Sequence, residues 1–357
     1  MARRPQFHPL RVSALDRLTA DAVAITFDVA DELAADYAFS PGQHVTVRCL
    51  AAGDDGRRTY SLCSVPGVVR IGVKAIPGGV FSTYALDGLR VGDDIEVMTP
   101  TGHFTTAVDA SRPWHRAAIV AGSGITPVLS IAATTLNAEP SSRFTLIYGN
   151  RSAEAVMFLE ELADLKDRFP DRFTVCHVLS REVRDSELLT GRLDRAKLDE
   201  LLAGVVVPRT VDEWFVCGPA QMMDAARASL REQHVDDAAV HVELFHLATA
   251  AHAADVEPEV DLPGGGQASV TITLAGRSTT LTVPVGRDVL HEVLRVRPDV
   301  PYGCTNGMCG TCRAKVVEGR VEMDHCYALD QGELDEGFVL TCQAQPRSDV
   351  IVLDYDA

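Results

Sequence analysis

The sequence predicts a multidomain protein with an N-terminal antiparallel β-barrel, a central doubly wound parallel α/β sheet and a small C-terminal α+β unit. Three observations predict it. The first third alternates apolar and polar residues in short runs broken by turns, the pattern of a barrel or sandwich. The middle alternates strand-like and helix-like runs, the pattern of a parallel sheet with helices on both faces. A stretch rich in small residues, acids, proline and glycine then precedes a last segment with four clustered cysteines.

The barrel expectation rests on Val23–Phe27, His44–Arg48, Val69–Lys74 and Asp94–Met98. Ser40-Pro41-Gly42, residues 53–56 and Pro77-Gly78-Gly79 separate them as turns. In the middle segment, strand Ala117–Ala121 leads to helix Pro127–Leu136, then strand Phe144–Tyr148 and helix Ala155–Arg168. Strand Phe173–Leu179, helix Arg195–Leu202, strand Trp214–Cys217 and helix Ala220–Gln233 follow. The stretch LATAAHAADVEPEVDLPGGG occupies 247–266. Beyond it come a hairpin, Ser269–Leu274 and Thr279–Val283 about Gly276, and a helix over Val289–Val296. The expected domains are 1–112, 113–247 and 267–357, with a linker over 248–266.

At 357 residues, with 46% hydrophobic and 23% charged side chains, the chain has the composition of a two- or three-domain globular protein. No run approaches the roughly 18 apolar residues of a membrane helix. No apolar run follows Arg3 and Arg4, so no signal peptide is expected and the expected location is the cytoplasm. A net charge of −17 argues against a nucleic-acid partner, which would need a basic face. Residues 256–357 carry 16 acids against 8 bases, which serves solubility and permits a partner with a basic docking surface.

Of nine cysteines, Cys304, Cys309, Cys312 and Cys342 share one pattern: C-x₄-C-x₂-C, then 29 residues, then C. This is the plant-type [2Fe–2S] spacing. Gly303 directly precedes the first ligand and Gly307 and Gly310 lie between the ligands, where backbone must approach a cluster and N–H groups can face its sulfurs. A structural zinc site would show two short cysteine pairs instead, and scattered core cysteines would show no spacing. Cys326, outside the pattern, reads as a packing residue.

Four further motifs carry a resemblance. Arg58-Thr59-Tyr60-Ser61 is similar to the R-x-Y-S flavin motif of the ferredoxin–NADP reductase superfamily. Gly79-Val80-Phe81-Ser82 resembles that family's G-x-x-S phosphate turn, downstream of Lys74 in VKAIPGGVFSTYA. Ala121-Gly122-Ser123-Gly124-Ile125-Thr126-Pro127 has the family's nicotinamide-turn form, and Cys217-Gly218-Pro219 with Met222 its C-G-P-x-x-M form. Residues 1–245 thus resemble that superfamily, and the rest resembles a plant-type, β-grasp ferredoxin. On general grounds a Gly turn opening a helix is a phosphate site, although Pro127 replaces the third glycine of the dinucleotide fingerprint.

The resemblance implies FAD in the barrel and a nicotinamide dinucleotide on the sheet. It implies that Arg58 contacts flavin phosphate, Tyr60 the flavin ring and Ser61 the flavin N5 region, with Cys217 beside the nicotinamide. Glu243 and Phe245 fall in the acid-plus-Phe segment of relatives, Glu243 near hydride transfer; an amphipathic strand with one exposed acid is the plainer account. Ser180-Arg181 matches the pair that holds the 2′-phosphate in NADPH-using relatives, which implies NADPH with NADH accepted. An exposed loop charge at Arg181, or an acid such as Glu182 or Asp185 on the ribose, stays open. The implied order is hydride to flavin, single electrons to the cluster, then an external acceptor. The stretches YSLCS, AGSGITPVLSIAATTL, DSELLTGRLD, CGPAQMMD and FVLTCQA most resemble the reductase components of phenylacetyl-CoA epoxidase, a di-iron ring 1,2-oxygenase. VELF at 242–245 departs from a Glu-Arg-Phe form in that family. Reductases of Rieske oxygenases such as ketosteroid 9α-hydroxylase share the architecture. A redox sensor or carrier without a dedicated partner is the alternative of another class.

Overall fold

The computed structural model describes residues 5–48, 56–183, 186–245, 266–329 and 331–357. The expected linker lies outside these apart from Gly266, as does Asp185. The chain divides into two compact units, residues 1–248 and 249–357.

The first unit opens with strands β1 (Phe7–Thr19), β2 (Ala22–Asp28), β3 (His44–Arg48), β4 (Arg57–Ser61) and β5 (Val69–Lys74), helix α1 (Val80–Asp87) and strand β6 (Asp94–Met98). The strands form one antiparallel sheet in the order β4-β3-β6-β1-β2-β5. A bridge between Leu62 and Ile71 joins its two edges, so the sheet curls into a barrel. Inward residues such as Val12, Ile25, Val47, Ile71 and Val97 fill it. The sequence pattern missed β1. Its pairing with β2 slips between Val12 and Ala14 and again between Arg17 and Thr19, and each slip reverses the face that points inward. Two reversals erase a simple alternation.

The same unit continues with β7 (His115–Ala121), α2 (Ile125–Ala138), β8 (Arg143–Asn150), α3 (Leu159–Arg168), β9 (Phe173–Leu179), α4 (Arg195–Gly204), β10 (Glu213–Gly218), α5 (Ala220–Glu232) and β11 (Val240–Leu244). Its strands are parallel, in the order β11-β10-β7-β8-β9. From β7 the chain steps outward to β8 and β9, then returns to the other side of β7. The order therefore reverses between β7 and β10, where open α/β sheets present a ligand crevice at their C-terminal ends. The helix expected from Ala155 begins at Leu159 instead. Val156, Met157 and Phe158 are buried in the core, and Phe158 takes a left-handed backbone, φ 59°. Packing of those side chains overrides the helical pattern.

The second unit holds β12 (Gln267–Leu274), β13 (Arg277–Pro284), α6 (Val289–Leu294), β14 (Arg313–Glu318), β15 (Val321–Met323), α7 (Gln331–Asp335), β16 (Phe338–Leu340), β17 (Ala344–Pro346) and β18 (Val350–Asp354). A mixed sheet β13-β12-β18-β14-β16 and a small pair β15-β17 enclose a core with Val289, Leu290 and Val293 of α6. Asp288 caps α6 by accepting from the His291 N–H at 2.8 Å. Among the described residues no helix is long and apolar enough to cross a membrane.

Candidate functional site

Three of the residues singled out above meet at the switch point. Cys217 lies on β10 and Glu243 on β11, directly paired in parallel register. The Ser61 hydroxyl, at the end of β4, donates to Glu243 Oε2 at 2.9 Å across 182 residues of sequence. The contact joins the barrel to the C-terminal end of the parallel sheet. Ser61 is 3% exposed and Cys217 fully buried. Burial pushes the Cys217 thiol well above its usual range, and the neighbouring Glu243 adds to this.

The sequence reading missed a fourth member. His44 sits opposite Ser61 in the β3–β4 pairing. Its Nδ1 is 3.8 Å from Glu243 Oε1, and its Nε2 is 3.1 Å from Thr101 Oγ1. His44 is 2% exposed. The available signal was a histidine in a strand whose neighbours Val45, Thr46 and Val47 are buried on both faces.

The glycine turn after β7 packs onto the end of β10. A Cβ on Gly124 would stand 2.3 Å from the Cys217 carbonyl oxygen, so only glycine lets the two strand ends approach this closely. Gly122 takes φ +57°. The Thr126 hydroxyl donates to the Ser123 carbonyl at 3.0 Å, and Pro127 is buried in the first turn of α2. Gly72 of β5 packs against this turn, its Cβ position 2.7 Å from Thr126 Cγ2. Gly218 and exposed Pro219 lead from β10 into α5, and Met222 and Met223 are buried beneath.

On the barrel side, Tyr60 is half-buried, with its ring 5.4 Å from that of Phe81. Arg58 is exposed and its Nη1 donates to the Arg57 carbonyl at 2.7 Å. The GVFS segment is a helix start rather than a free turn: Gly79 precedes α1 and Val80, Phe81 and Ser82 form its first turn. The Ser82 hydroxyl is already engaged, donating to the Gly79 carbonyl and accepting from the Ile76 N–H, both at 3.2 Å. Phe81 is buried, while Val80 is exposed. Lys74 pairs with Asp21 at 3.7 Å. At the far end of the sheet, Ser180 and exposed Arg181 follow β9, their N–H groups donating to the carbonyls of Asn150 and Arg151. Glu182 accepts from the Ala153 N–H at 2.8 Å. Phe245, just past β11, packs half-buried on the central core.

The cysteine loop lies between α6 and β14. Gly307 and Gly310 have φ of +72° and +70°, and a Cβ on Gly307 would stand 2.7 Å from the His325 carbonyl oxygen. Backbone N–H groups converge on sulfur. Those of Asn306 and Met308 donate to Cys304 Sγ at 3.4 and 3.3 Å, and that of Cys304 to Cys309 Sγ at 3.4 Å. Thr311 Oγ1 is 3.1 Å from Cys309 Sγ. The thiols form two hydrogen-bonded pairs, Cys304 with Cys309 and Cys312 with Cys342. The Cys312 thiol lowers the pKa of Cys342 by donating to it. Among the described residues no three acid, imidazole or thiol groups converge on a single metal ion. Cys326 is partly buried against the core.

Comparisons with known proteins decide the family. Residues 9–106 match the oxidoreductase FAD-binding domain, 118–228 the oxidoreductase NAD-binding domain, and 272–347 the 2Fe-2S iron–sulfur cluster binding domain. The chain is 44% identical to a component of the 1,2-phenylacetyl-CoA epoxidase of Escherichia coli (strain K12), covering 98% of both chains. The chain belongs to the FAD- and NAD-binding oxygenase reductases with a 2Fe-2S domain. It is similar as well to the ferredoxin reductase component of the 3-ketosteroid-9-alpha-monooxygenase of Rhodococcus rhodochrous, 35% identical over 97% of this chain and 96% of that one. Among solved structures it resembles phthalate dioxygenase reductase, with a TM-score of 0.57, 25% identity and 98% of both chains covered. The reductase is therefore an NAD(P)H-dependent flavin iron–sulfur oxidoreductase that passes electrons to an oxygenase, with FAD, a [2Fe–2S] cluster and a nicotinamide as its cofactors.

Proposed function

We propose that this reductase works in the cytoplasm, prefers NADPH to NADH, and supplies the oxygenase component of a phenylacetyl-CoA epoxidase. The contact between Ser61 and Glu243 beside Cys217 carries the catalytic part of this reading. It brings barrel and sheet together at the switch point, where a flavin edge and a nicotinamide would have to meet. The 44% identity to the Escherichia coli epoxidase component supports the partner.

When bound, the flavin takes an electron pair from the nicotinamide and the cluster takes electrons singly, which matches a two-electron donor to a one-electron chain. The chain's own residues then have definite tasks. Arg58 offers a guanidinium fork to flavin phosphate, and the first turn of α1, Val80 to Ser82, would turn backbone N–H groups toward it. Tyr60 provides a flat wall. Ser61 and Glu243 hold a proton between them at Ser61 Oγ, and buried Cys217 and half-buried Phe245 exclude water. The turn from Gly122 to Pro127 receives the dinucleotide's phosphates, helped by Lys74. Gly218 and Pro219 keep the end of β10 low, and Ser180 and Arg181 receive the 2′-phosphate. Cys304, Cys309, Cys312 and Cys342 would together hold the two irons of the cluster.

The test is a partner screen. The purified reductase and NADPH are mixed with the oxygenase component of a phenylacetyl-CoA epoxidase and its substrate, and in parallel with a ketosteroid 9α-hydroxylase oxygenase. Product formed in step with NADPH oxidation is expected in the first mixture alone. Product in the second alone, or in neither while ferricyanide is reduced normally, would remove the epoxidase assignment.

A further inference from the structure

Two cations, Lys74 and Arg151, share one carboxylate, that of Asp21. Lys74 is the last residue of β5, two places beyond Gly72, so its side chain leaves the face of the strand on which Gly72 packs. Gly72 packs on Thr126 of the turn. Arg151 is the first residue past β8, and β8 pairs with β7 so that Gly149 lies opposite Ala121, the residue before the turn. Both cations therefore flank the place where the dinucleotide's phosphates would rest. Asp21, in the tight turn between β1 and β2, reaches both: Oδ1 is 3.7 Å from Lys74 Nζ, and Oδ2 is 2.9 Å from Arg151 Nη2. The Thr19 hydroxyl donates to Asp21 Oδ1 at 2.8 Å and fixes its direction.

We propose that Asp21 is an internal competitor for the dinucleotide's phosphates, pairing Lys74 and Arg151 until an incoming pyrophosphate takes at least one of them. The inference rests on reading the Gly122–Thr126 turn as the phosphate site. A dianion beside two cations gains more from them than a single carboxylate does, so exchange favours the nucleotide. The carboxylate remains nearby as a like charge, and that lowers affinity. Asp21 thus tunes release as well as capture: a product dinucleotide leaves more readily when a tethered anion is ready to replace it.

The experiment uses the full-length holoprotein. Binding of NADP⁺, and of inorganic pyrophosphate as a minimal probe, is measured by calorimetry for wild type, Asp21→Asn, Arg151→Ala and the double variant. Asp21→Asn is expected to bind both probes about two- to fivefold tighter, the range carried by a partly exposed ion pair. KM for NADPH should fall with it. The gain should shrink when Arg151 is absent, because the competition has lost one of its two objects. Thr19→Val, which removes the orienting bond to the carboxylate together with the bond from the Asp21 N–H, should move affinity in the same direction and covers a poorly folding Asp21 variant. Unchanged or weaker binding in Asp21→Asn and Thr19→Val, with normal wild-type affinity, would overturn the proposal and leave the phosphate site standing. A wild type that binds neither probe would overturn both.

Discussion

The cysteine loop and the Ser61–Glu243 junction are built in opposite ways. The loop draws three of its four thiols and most of its sulfur-facing N–H groups from nine consecutive residues, Cys304–Cys312. The junction draws Ser61, Cys217, Glu243 and His44 from four strands that span the chain from residue 44 to residue 243. A local site announces itself through spacing. A distributed site has no spacing and depends on the packing that brings its strands together. The two should therefore break differently, one by loss of a single ligand and the other by damage far from it.

The largest effect is expected in the loop. Cys309→Ser removes one of four ligands, and the variant should purify without the cluster's visible absorption and with little iron. The flavin should stay bound, and NADPH-driven ferricyanide reduction should persist. Iron analysis returning two irons per chain would remove Cys309 from the ligand set.

That contrast explains what the sequence made legible. The barrel, the parallel sheet and the small α+β unit follow from periodicity, and the fold expected from it is the one observed. The cysteines needed only their spacing. Ser61, Cys217 and Glu243 were found through family motifs, since nothing in their own neighbourhoods sets them apart. His44 escaped because it falls on the polar face of an alternating strand, with Thr46 and Arg48, and matches no family motif. The helix α1 that starts at Val80 was not expected, because Pro77-Gly78-Gly79 mark a turn and the eight helical residues that follow are too few to show a period. The two bulges of β1 hid the longest strand.

A buried ion network was invisible as well. Arg116 on β7 is 1% exposed and Glu139, just past α2, is 0% exposed. Arg116 Nη1 is 2.6 Å from Glu139 Oε2 and its Nε is 2.6 Å from Glu213 Oε2. Its other hydrogen bonds go to the Thr106 hydroxyl and the Ala107 carbonyl, its guanidinium lies 4.8 Å from the Trp114 ring centroid, and Glu139 Oε1 accepts from the Asp109 N–H. The network thus ties the segment leaving the barrel to the base of the parallel sheet. Removing one partner of such a pair leaves a buried charge uncompensated, at a cost of about 3–5 kcal/mol. Arg116→Met should lose about that much in denaturant unfolding of the first unit, with iron content unchanged. Burial raises the Glu213 pKa, but hydrogen bonds from His241, Thr106 and Arg116 outweigh it and bring the carboxyl to about 2. Its unfolded value is near 4.5. The unfolded chain therefore binds the proton first as pH falls, so this stabilisation is complete above about pH 4.5 and is lost between there and about pH 2. Glu213→Gln should flatten that part of the acid-unfolding curve. An identical acid limb in both proteins would show that Glu213 is not a titrating element of the network.

The smallest effect is expected at the outer edge of the junction, where contact with the nucleotide is most solvent-exposed. Arg181 is exposed after β9, and its backbone is anchored by the hydrogen bond to Arg151. Anchored backbone with a free-swinging guanidinium suits a charge placed at the ribose, which lies farther from the chemistry than the pyrophosphate. Glu182, the nearby acid that would favour unphosphorylated ribose, is committed to the Ala153 N–H, which tips the choice toward a phosphate. A charge-assisted contact contributes about 1.5–3 kcal/mol, and exposure places this one at the lower end, about tenfold. Arg181→Ala should therefore lower kcat/KM for NADPH about tenfold while leaving NADH nearly unchanged. The loss should appear in KM rather than kcat, because the 2′-phosphate is held equally in ground and transition states. It should also shrink as salt rises, since both charges are solvated. An equal loss for the two nucleotides would mean that Arg181 supports the loop rather than reading the phosphate. A wild-type preference for NADH would remove the NADPH assignment altogether.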